Sequence, residues 1–322
     1  MNNKNIILLF IFIFIYPINC NHRVVSFLND EKTNQKRLHI DLSKIENRKI
    51  KNDTYIIGHK RLNGKLLTGY AHLLTKHSPH YHHHDKPEIN NNMNDISVQG
   101  NCFKINSLGA KWKTPLRYGI DTTNIAGLSS SFIITNINNA YTTWKNILLN
   151  SNNLGIYDPT IIVDGANLFI PDGKNEILFG TISQSSAVAI TITWGVFNSN
   201  EQNNEIVEQD IVFDDSDYDF GDANIQGNSV IDFLSVAVHE IGHALGGLDD
   251  LTMCPDHTMF GSISFGETIK RSLEFGDRDG IRVNYGQQEF TPQNNNNHSL
   301  SNNLNSNISF VLIVLIIYFI FF

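Results

Sequence analysis

His239-Glu240-Ile241-Gly242-His243-Ala244-Leu245-Gly246-Gly247-Leu248-Asp249 reads H-E-x-x-H-x-x-G-x-x-D. Residues four apart on a helix project from one face. His239 and His243 therefore stand side by side, the spacing at which two imidazoles hold one zinc ion. Glu240 lies next to them, placed to take a proton from a water at that ion. Gly246 lets the chain turn sharply, and Asp249 returns as a third, oxygen ligand. The fourth position stays open, as a catalytic zinc site requires.

The flanking sequence supplies a rigid mount. Val230, Phe233, Leu234, Ala237, Ile241, Ala244 and Leu245 make an apolar stripe on one helix, with Ser229 and Asp232 as its capping box and Gly246-Gly247 as its stop. Upstream, residues 116–120 alternate as a first strand, and Ile133, Ile137, Ala140, Tyr141, Trp144 and Ile147 recur at helical spacing across 129–149. Strands are expected at 160–163, 176–179, 187–194 and 205–213. AVAITITW at 187–194 is rich in β-branched residues, which predicts a well-covered strand. Residues 274–286 read as a closing helix ended by Gly286. The class is α+β: a twisted mixed sheet packed on a long helix and the histidine-bearing helix.

The 322 residues carry a net charge of -8, with no basic surplus to attract nucleic acid. Residues 1–20 have the n-region and short apolar h-region of a secretory signal peptide. Residues 21–98 are polar and read as a pro-region or amino-terminal extension, ending in a His-rich linker (His77, His80, His82, His83, His84) that could bind metal or be a solvated spacer. The catalytic region is 99–288. Residues 289–322 join an Asn/Ser-rich spacer to the apolar run FVLIVLIIYFIFF, the pattern of a GPI-attachment signal, with a short transmembrane anchor as the alternative. A leader plus this tail predicts a cell-surface, extracellular protein. Asn52-Asp53-Thr54 is a glycosylation sequon, so a glycoprotein is expected. Once Cys20 leaves with the leader, an oxidising compartment allows one pair, Cys102 with Cys254; two unrelated thiols are the other reading. Five carboxylates within Asp214–Asp222 make Ca²⁺ a candidate, though acidic loops are usually solvated.

With these residues in hand, the chain over about 98–287 resembles the metzincin metallopeptidases, in their matrixin-like branch. The resemblance rests on the extended motif, on Thr258-Met259-Phe260 where that family has its Met-turn, on DRDGIRVNYG at 277–286, and on KWKTPLRYGI at 111–120. It implies a metzincin-like catalytic fold, one catalytic Zn²⁺ on His239, His243 and Asp249, Glu240 as general base, Met259 as a floor beneath the ligands, and cleavage of protein or peptide substrates by a zinc endopeptidase. Two departures stand out. Most of the family has His where this chain has Asp249, and the Gly246-Gly247 pair allows a one-residue insertion that would make Asp250 the third ligand; His257 is a weaker candidate. No cysteine-switch motif occurs in the amino-terminal segment, so another group, for which the His cluster is available, would have to cap the zinc.

Two rival readings remain at this level. A gluzincin-type peptidase would take a downstream Glu as third ligand, and Glu267 is the nearest. A non-catalytic cell-surface binding protein would keep zinc for structure alone, but it would not need Glu240.

Overall fold

Four helices and thirteen strands are built from the residues described by the computed structural model: 26–29, 36–51, 53–77, 102–105, 109–148, 151–197 and 200–286. The leader, the His cluster beyond His77, the Asn/Ser-rich spacer and the apolar tail lie outside them. In chain order the elements are β1 (Ser26–Asn29), β2 (Lys36–Ile40), β3 (Lys49–Lys51), β4 (Thr54–Leu62), β5 (Lys65–Lys76), β6 (Arg117–Ile120), α1 (Ser130–Lys145), β7 (Ile156–Tyr157), β8 (Glu176–Ile182), β9 (Ala187–Val196), β10 (Glu205–Asp214), β11 (Phe220–Gly221), α2 (Ala223–Gln226), β12 (Ile231–Asp232), α3 (Phe233–Gly246), β13 (Ser262–Ile263) and α4 (Phe275–Tyr285). Among the described residues no helix is long and apolar enough to cross a membrane.

The main sheet runs β1-β2-β8-β10-β9-β5-β4-β3, with β6 on β8 and β13 on β5. β8 and β10 are parallel, β9 is antiparallel to β10, and β5 is antiparallel to β9. The sheet is therefore mixed, and the α+β expectation holds. The amino-terminal segment is part of it: β2 extends the β8 side while the β4–β5 hairpin extends the β9 side.

Side chains alternate across a strand, so each strand feeds two cores. Ile177, Phe179, Ile211 and Phe213 point toward α1 and α3, where Tyr118, Tyr141, Trp144 and Phe233 meet them. Leu178, Ile190, Ile192, Trp194 and Val212 point the other way, against Leu38, Ile40, Ile45, Tyr55, Ile57, Leu67 and Leu73 of the amino-terminal segment. The expectation of a well-covered strand at 187–194 is thereby explained.

Two local expectations change, and the strand expected at 205–213 is found as one element. Residues 160–163 form no strand; Asp158 Oδ1 takes the Thr160 amide at 3.0 Å and its hydroxyl at 2.6 Å, turning the chain, and the short strand beside β6 is β7. Ile161 and Val163 instead pack directly over Gly119. Residues 205–213 form the single strand β10. The cap of α3 is Asp232 and not Ser229: its carboxylate accepts from Ser235 N at 2.9 Å and is clamped by Arg271. That guanidinium holds the Asp232 carboxyl below its ordinary value despite burial, which by itself raises it. Helix α1 begins at an N-cap, Ser129, and buries the expected face through Trp144.

Candidate active site

Helix α3 is buried along nearly all its length, which is why so many of its residues are apolar or small. It is bolted to its surroundings through its own carbonyls. Trp144 Nε1 donates to Val238 O at 2.7 Å, Trp112 Nε1 to Ala244 O at 2.8 Å, and Tyr285 Oη to Leu245 O at 2.7 Å. Gly242 is required by close approach: a Cβ there would meet Met259 Sδ at 2.3 Å and the Trp144 ring at 2.7 Å. Met259 thus lies beneath the helix, as the resemblance implies.

The two histidines are oriented by backbone. His239 Nδ1 meets Thr258 O, and His243 Nδ1 meets Leu248 O, each at 2.7 Å. A carbonyl can only accept, so both protons sit on Nδ1 and both Nε2 lone pairs face inward. Those Nε2 atoms are 3.1 Å apart. Thr258 is itself held from behind: Asp277, in the first turn of α4, accepts from Thr258 N at 3.0 Å and Met259 N at 3.1 Å. The closing helix therefore supports the ligands through the Met259 turn.

Helix α3 stops at Gly247, which has φ 57° and ψ 30°. Such left-handed geometry favours glycine at a helix end. The turn glycine is therefore Gly247, and the third residue after it is Asp250. Asp250 Oδ1 lies 3.2 Å from His239 Nε2 and 3.4 Å from His243 Nε2. Asp249 points elsewhere: its Oδ1 accepts from Thr54 Oγ1 at 2.7 Å and is 3.8 Å from His72 Nδ1. The remaining candidates stay apart from the histidine pair. Glu267 accepts from Ser264 N and pairs with the buried Lys270 at 3.4 Å. His257 packs edge-on to Phe275, with no hydrogen-bond partner for either ring nitrogen among the described residues.

The triangle of His239 Nε2, His243 Nε2 and Asp250 Oδ1 has edges of 3.1, 3.2 and 3.4 Å. Tetrahedral zinc with bonds of ~2.05 Å needs ligand–ligand edges of about 3.3 Å. The donor set fits the ion in kind and in size. With no ion bound, burial disfavours charge on His243, yet Asp250 and Glu240 outweigh it and lift the imidazole to about 9, while the histidines hold the Asp250 carboxyl well below the carboxylate range; the proton then held on His243 Nε2 is the one an ion would displace to reach that lone pair.

Glu240 is fully buried beside this triangle. Thr191 of β9 donates to its Oε2, and its Oε1 has no hydrogen-bond partner among the described residues. Burial pushes its carboxyl up to about 8. An orphaned carboxylate oxygen next to a metal triangle is where a reacting water would be held.

Two further features bear on the site. Cys102 and Cys254 form a disulfide with Cα atoms 6.0 Å apart, tying the start of the catalytic region to the loop that follows Asp250. His72 of β5 stacks on His243, with ring centroids 4.3 Å apart and planes 12° from parallel, and offers a ligand atom within 4.8 Å of those of His243 and Asp250. No motif marks His72; only the sheet pairing carries it there. The acidic loop behaves differently. Asp214 accepts from Ser216 N at 3.0 Å, Asp215 from Ile125 N at 2.7 Å and from Arg37, and Asp222 from Asn224 N at 3.0 Å and Arg271 at 2.6 Å. These carboxylates cap backbone and join segments. Asp164, Asp172 and Glu176 also cluster, but Lys174 already sits among them, 2.7 Å from Asp164. The sequon threonine, Thr54, is buried against Asp249, while Asn52 lies outside the described residues.

The comparison with known families agrees with this geometry. The Matrixin family model matches residues 111–286, from the start of the Trp112 segment to the end of α4. No curated protein matches the chain. The matched stretch spans more than half of the 322 residues and contains both histidines, Glu240, Asp250 and the Met259 turn, so the chain belongs to the matrixin family of zinc metallopeptidases.

Proposed function

We propose that the chain is a zinc-dependent endopeptidase acting on protein substrates outside the cell, with the ion held by His239, His243 and Asp250. The observation that carries the reading is the three-sided set of inward-facing donors with Glu240 Oε1 orphaned beside it. Asp250 replaces Asp249 as the preferred third ligand because Gly247, not Gly246, makes the turn. When bound, zinc polarises the scissile carbonyl and makes a coordinated water acidic near neutral pH. Glu240 accepts the water proton on Oε1 and delivers it to the departing amine. Thr191 fixes the other carboxylate oxygen so that Oε1 keeps its aim. A divalent ion beside Glu240 draws its pKa down from the value that burial alone sets. Met259 and Trp144 keep α3 from shifting, and Asp277 keeps the Thr258 carbonyl on His239.

The endopeptidase reading draws on β5. It passes the histidines as an extended strand with chain continuing on both sides, paired with β9 along one edge and, along the other, with β4 as far as His72 and with β13 at Thr75 and Lys76. Those edges suit an internal segment of a substrate, held by strand addition. The disulfide favours an oxidising compartment, in keeping with the expected leader at 1–20 and a surface anchor at 310–322, whether GPI or transmembrane. Residues 21–98 serve in this reading as a pro-region. The reading does not call on calcium, because three of the five carboxylates of the acidic loop, Asp214, Asp215 and Asp222, are engaged in capping.

The test compares zinc content and casein cleavage for wild type and Glu240→Ala, before and after limited proteolysis between residues 77 and 102. One zinc in each protein, with cleavage by the nicked wild type alone, is expected. Zinc retained with no cleavage by either nicked protein would sink the peptidase claim and favour a structural-zinc binding protein.

A further inference from the structure

A catalytic zinc site must keep one position for water and substrate. In this chain something already stands there. Strand β5 lies in the cleft between β9 and β13, its backbone engaged on both sides: Thr75 N donates to Gly261 O at 3.2 Å, His77 N to Ile263 O at 3.0 Å, and Lys76 N to Ser186 O at 2.7 Å. His72 sits opposite Thr191, the residue that holds Glu240. Leu74, on the same face of β5, is sealed into the core formed with α1 and α3. A substrate strand cannot enter while β5 is in place.

We infer that His72 is an in-chain ligand for the fourth position of the zinc site, and that Asp249, aided by Thr54, is the residue that holds it there. This rests on the metallopeptidase reading above. The two adjacent aspartates then divide the work: Asp250 faces the two α3 histidines, and Asp249 faces the hairpin. Asp249 Oδ1 takes the Thr54 hydroxyl at 2.7 Å, and that hydroxyl is 3.4 Å from His72 Nδ1, itself 3.8 Å from Asp249 Oδ1. His72 Nδ1 thereby faces the Thr54 hydroxyl, which is itself fixed by the Asp249 carboxylate. This is a hydroxyl-bridged form of the carboxylate–histidine–metal arrangement that orients ligating imidazoles. The ligand atom of His72 lies within 4.8 Å of those of His243 and Asp250, and a shift of roughly 1.5 Å with a tilt of the ring off His243 brings it to the edge of about 3.3 Å that a tetrahedral set needs. The absence of a cysteine-switch motif is then accounted for: an imidazole on a hairpin takes that position, and it comes from β5 rather than from the His cluster beyond it. Opening the site means displacing the β4–β5 hairpin.

The test uses the full chain reconstituted with Co²⁺ in place of Zn²⁺, with acetohydroxamate as an exogenous metal ligand and the visible spectrum as readout. Wild type should be indifferent to hydroxamate. His72→Ala and His72→Asn should each retain one metal and bind hydroxamate at least roughly ten-fold more tightly, with Asp249→Asn in between. The Asn variant keeps a polar side chain of similar reach, so β5 stays paired if the Ala variant does not fold. Stoichiometric metal with wild type binding hydroxamate as tightly as both His72 variants would overturn the assignment of His72 and leave the peptidase reading standing. Failure of all the proteins, wild type included, to hold metal would overturn the peptidase reading itself.

Discussion

The two faces of the sheet are both fully covered, yet they are built differently. The helical face is fastened by directed hydrogen bonds: Trp144 and Trp112 each spend an indole N–H on a carbonyl of α3, and Asn284 reaches Ala110 O at 2.9 Å and Gly246 O at 3.0 Å. The amino-terminal face is mostly apolar contact. Its large indole, Trp194, is fully buried with no hydrogen-bond partner for Nε1 among the described residues. Directed bonds fix α3 to a fraction of an ångström, as a metal site needs. Apolar contact covers the far side of the β4–β5 hairpin, whose backbone is hydrogen-bonded into the sheet through β9. The chemistry sits on the first face; the blocking segment also covers the second.

The largest effect that tells the faces apart is catalytic. Glu240→Ala should lower peptide cleavage by about 10²–10⁴-fold in the opened protein, with zinc content and melting temperature not reduced, because a buried, half-satisfied carboxyl is removed. Reduction of Cys102–Cys254 should follow, costing about 2–5 kcal/mol in denaturant unfolding, since it closes a long loop on the helical face. Asp277→Asn strips a charged acceptor from the Thr258 and Met259 amides and should weaken zinc binding about 10–100-fold in a chelator competition.

The indoles give a finer contrast. Trp144→Phe should cost about 1 kcal/mol more than Trp194→Phe, because only the first gives up a hydrogen bond. Equal losses would mean that the faces are anchored alike. The smallest effect is electrostatic. Burial lifts Glu176 to about 7 and Glu208 to about 8. Both share the strand parity of the amino-terminal face. The folded state then holds these protons more tightly than the unfolded state, so their contribution is full below about pH 4.5 and is lost as pH rises through about 7 to 8. Melting temperature should fall across that window, and Glu208→Gln should flatten the slope.

The contrast also explains what was legible. The helical face announces itself through short-range signals: the i, i+4 histidines, the 3.6-residue stripe of Ile133 to Trp144, the Gly246-Gly247 pair after the helix, and the Asp277 pattern. Each is a local rule of backbone geometry. The β-branched run of β9 said that the strand was well covered, but nothing in residues 21–98 said by what. LLTGYAHLLT within β5 has polar flanks and no turn motif that ties it to β9; its pairing joins residues more than one hundred positions apart. For the same reason His72 could not be found; the proposed third ligand, Asp250, stood in the sequence only as the alternative to Asp249. Gly246 and Gly247 look alike in sequence, and only the positive φ of Gly247 identifies the turn that aims Asp250 at the histidines.

That last point carries the whole site and is open to a direct measurement: zinc per chain, by elemental analysis after dialysis, in wild type, Asp249→Asn and Asp250→Asn. One zinc should remain in wild type and in Asp249→Asn, and Asp250→Asn should fail to retain it. Zinc lost from Asp249→Asn but kept by Asp250→Asn would contradict the account.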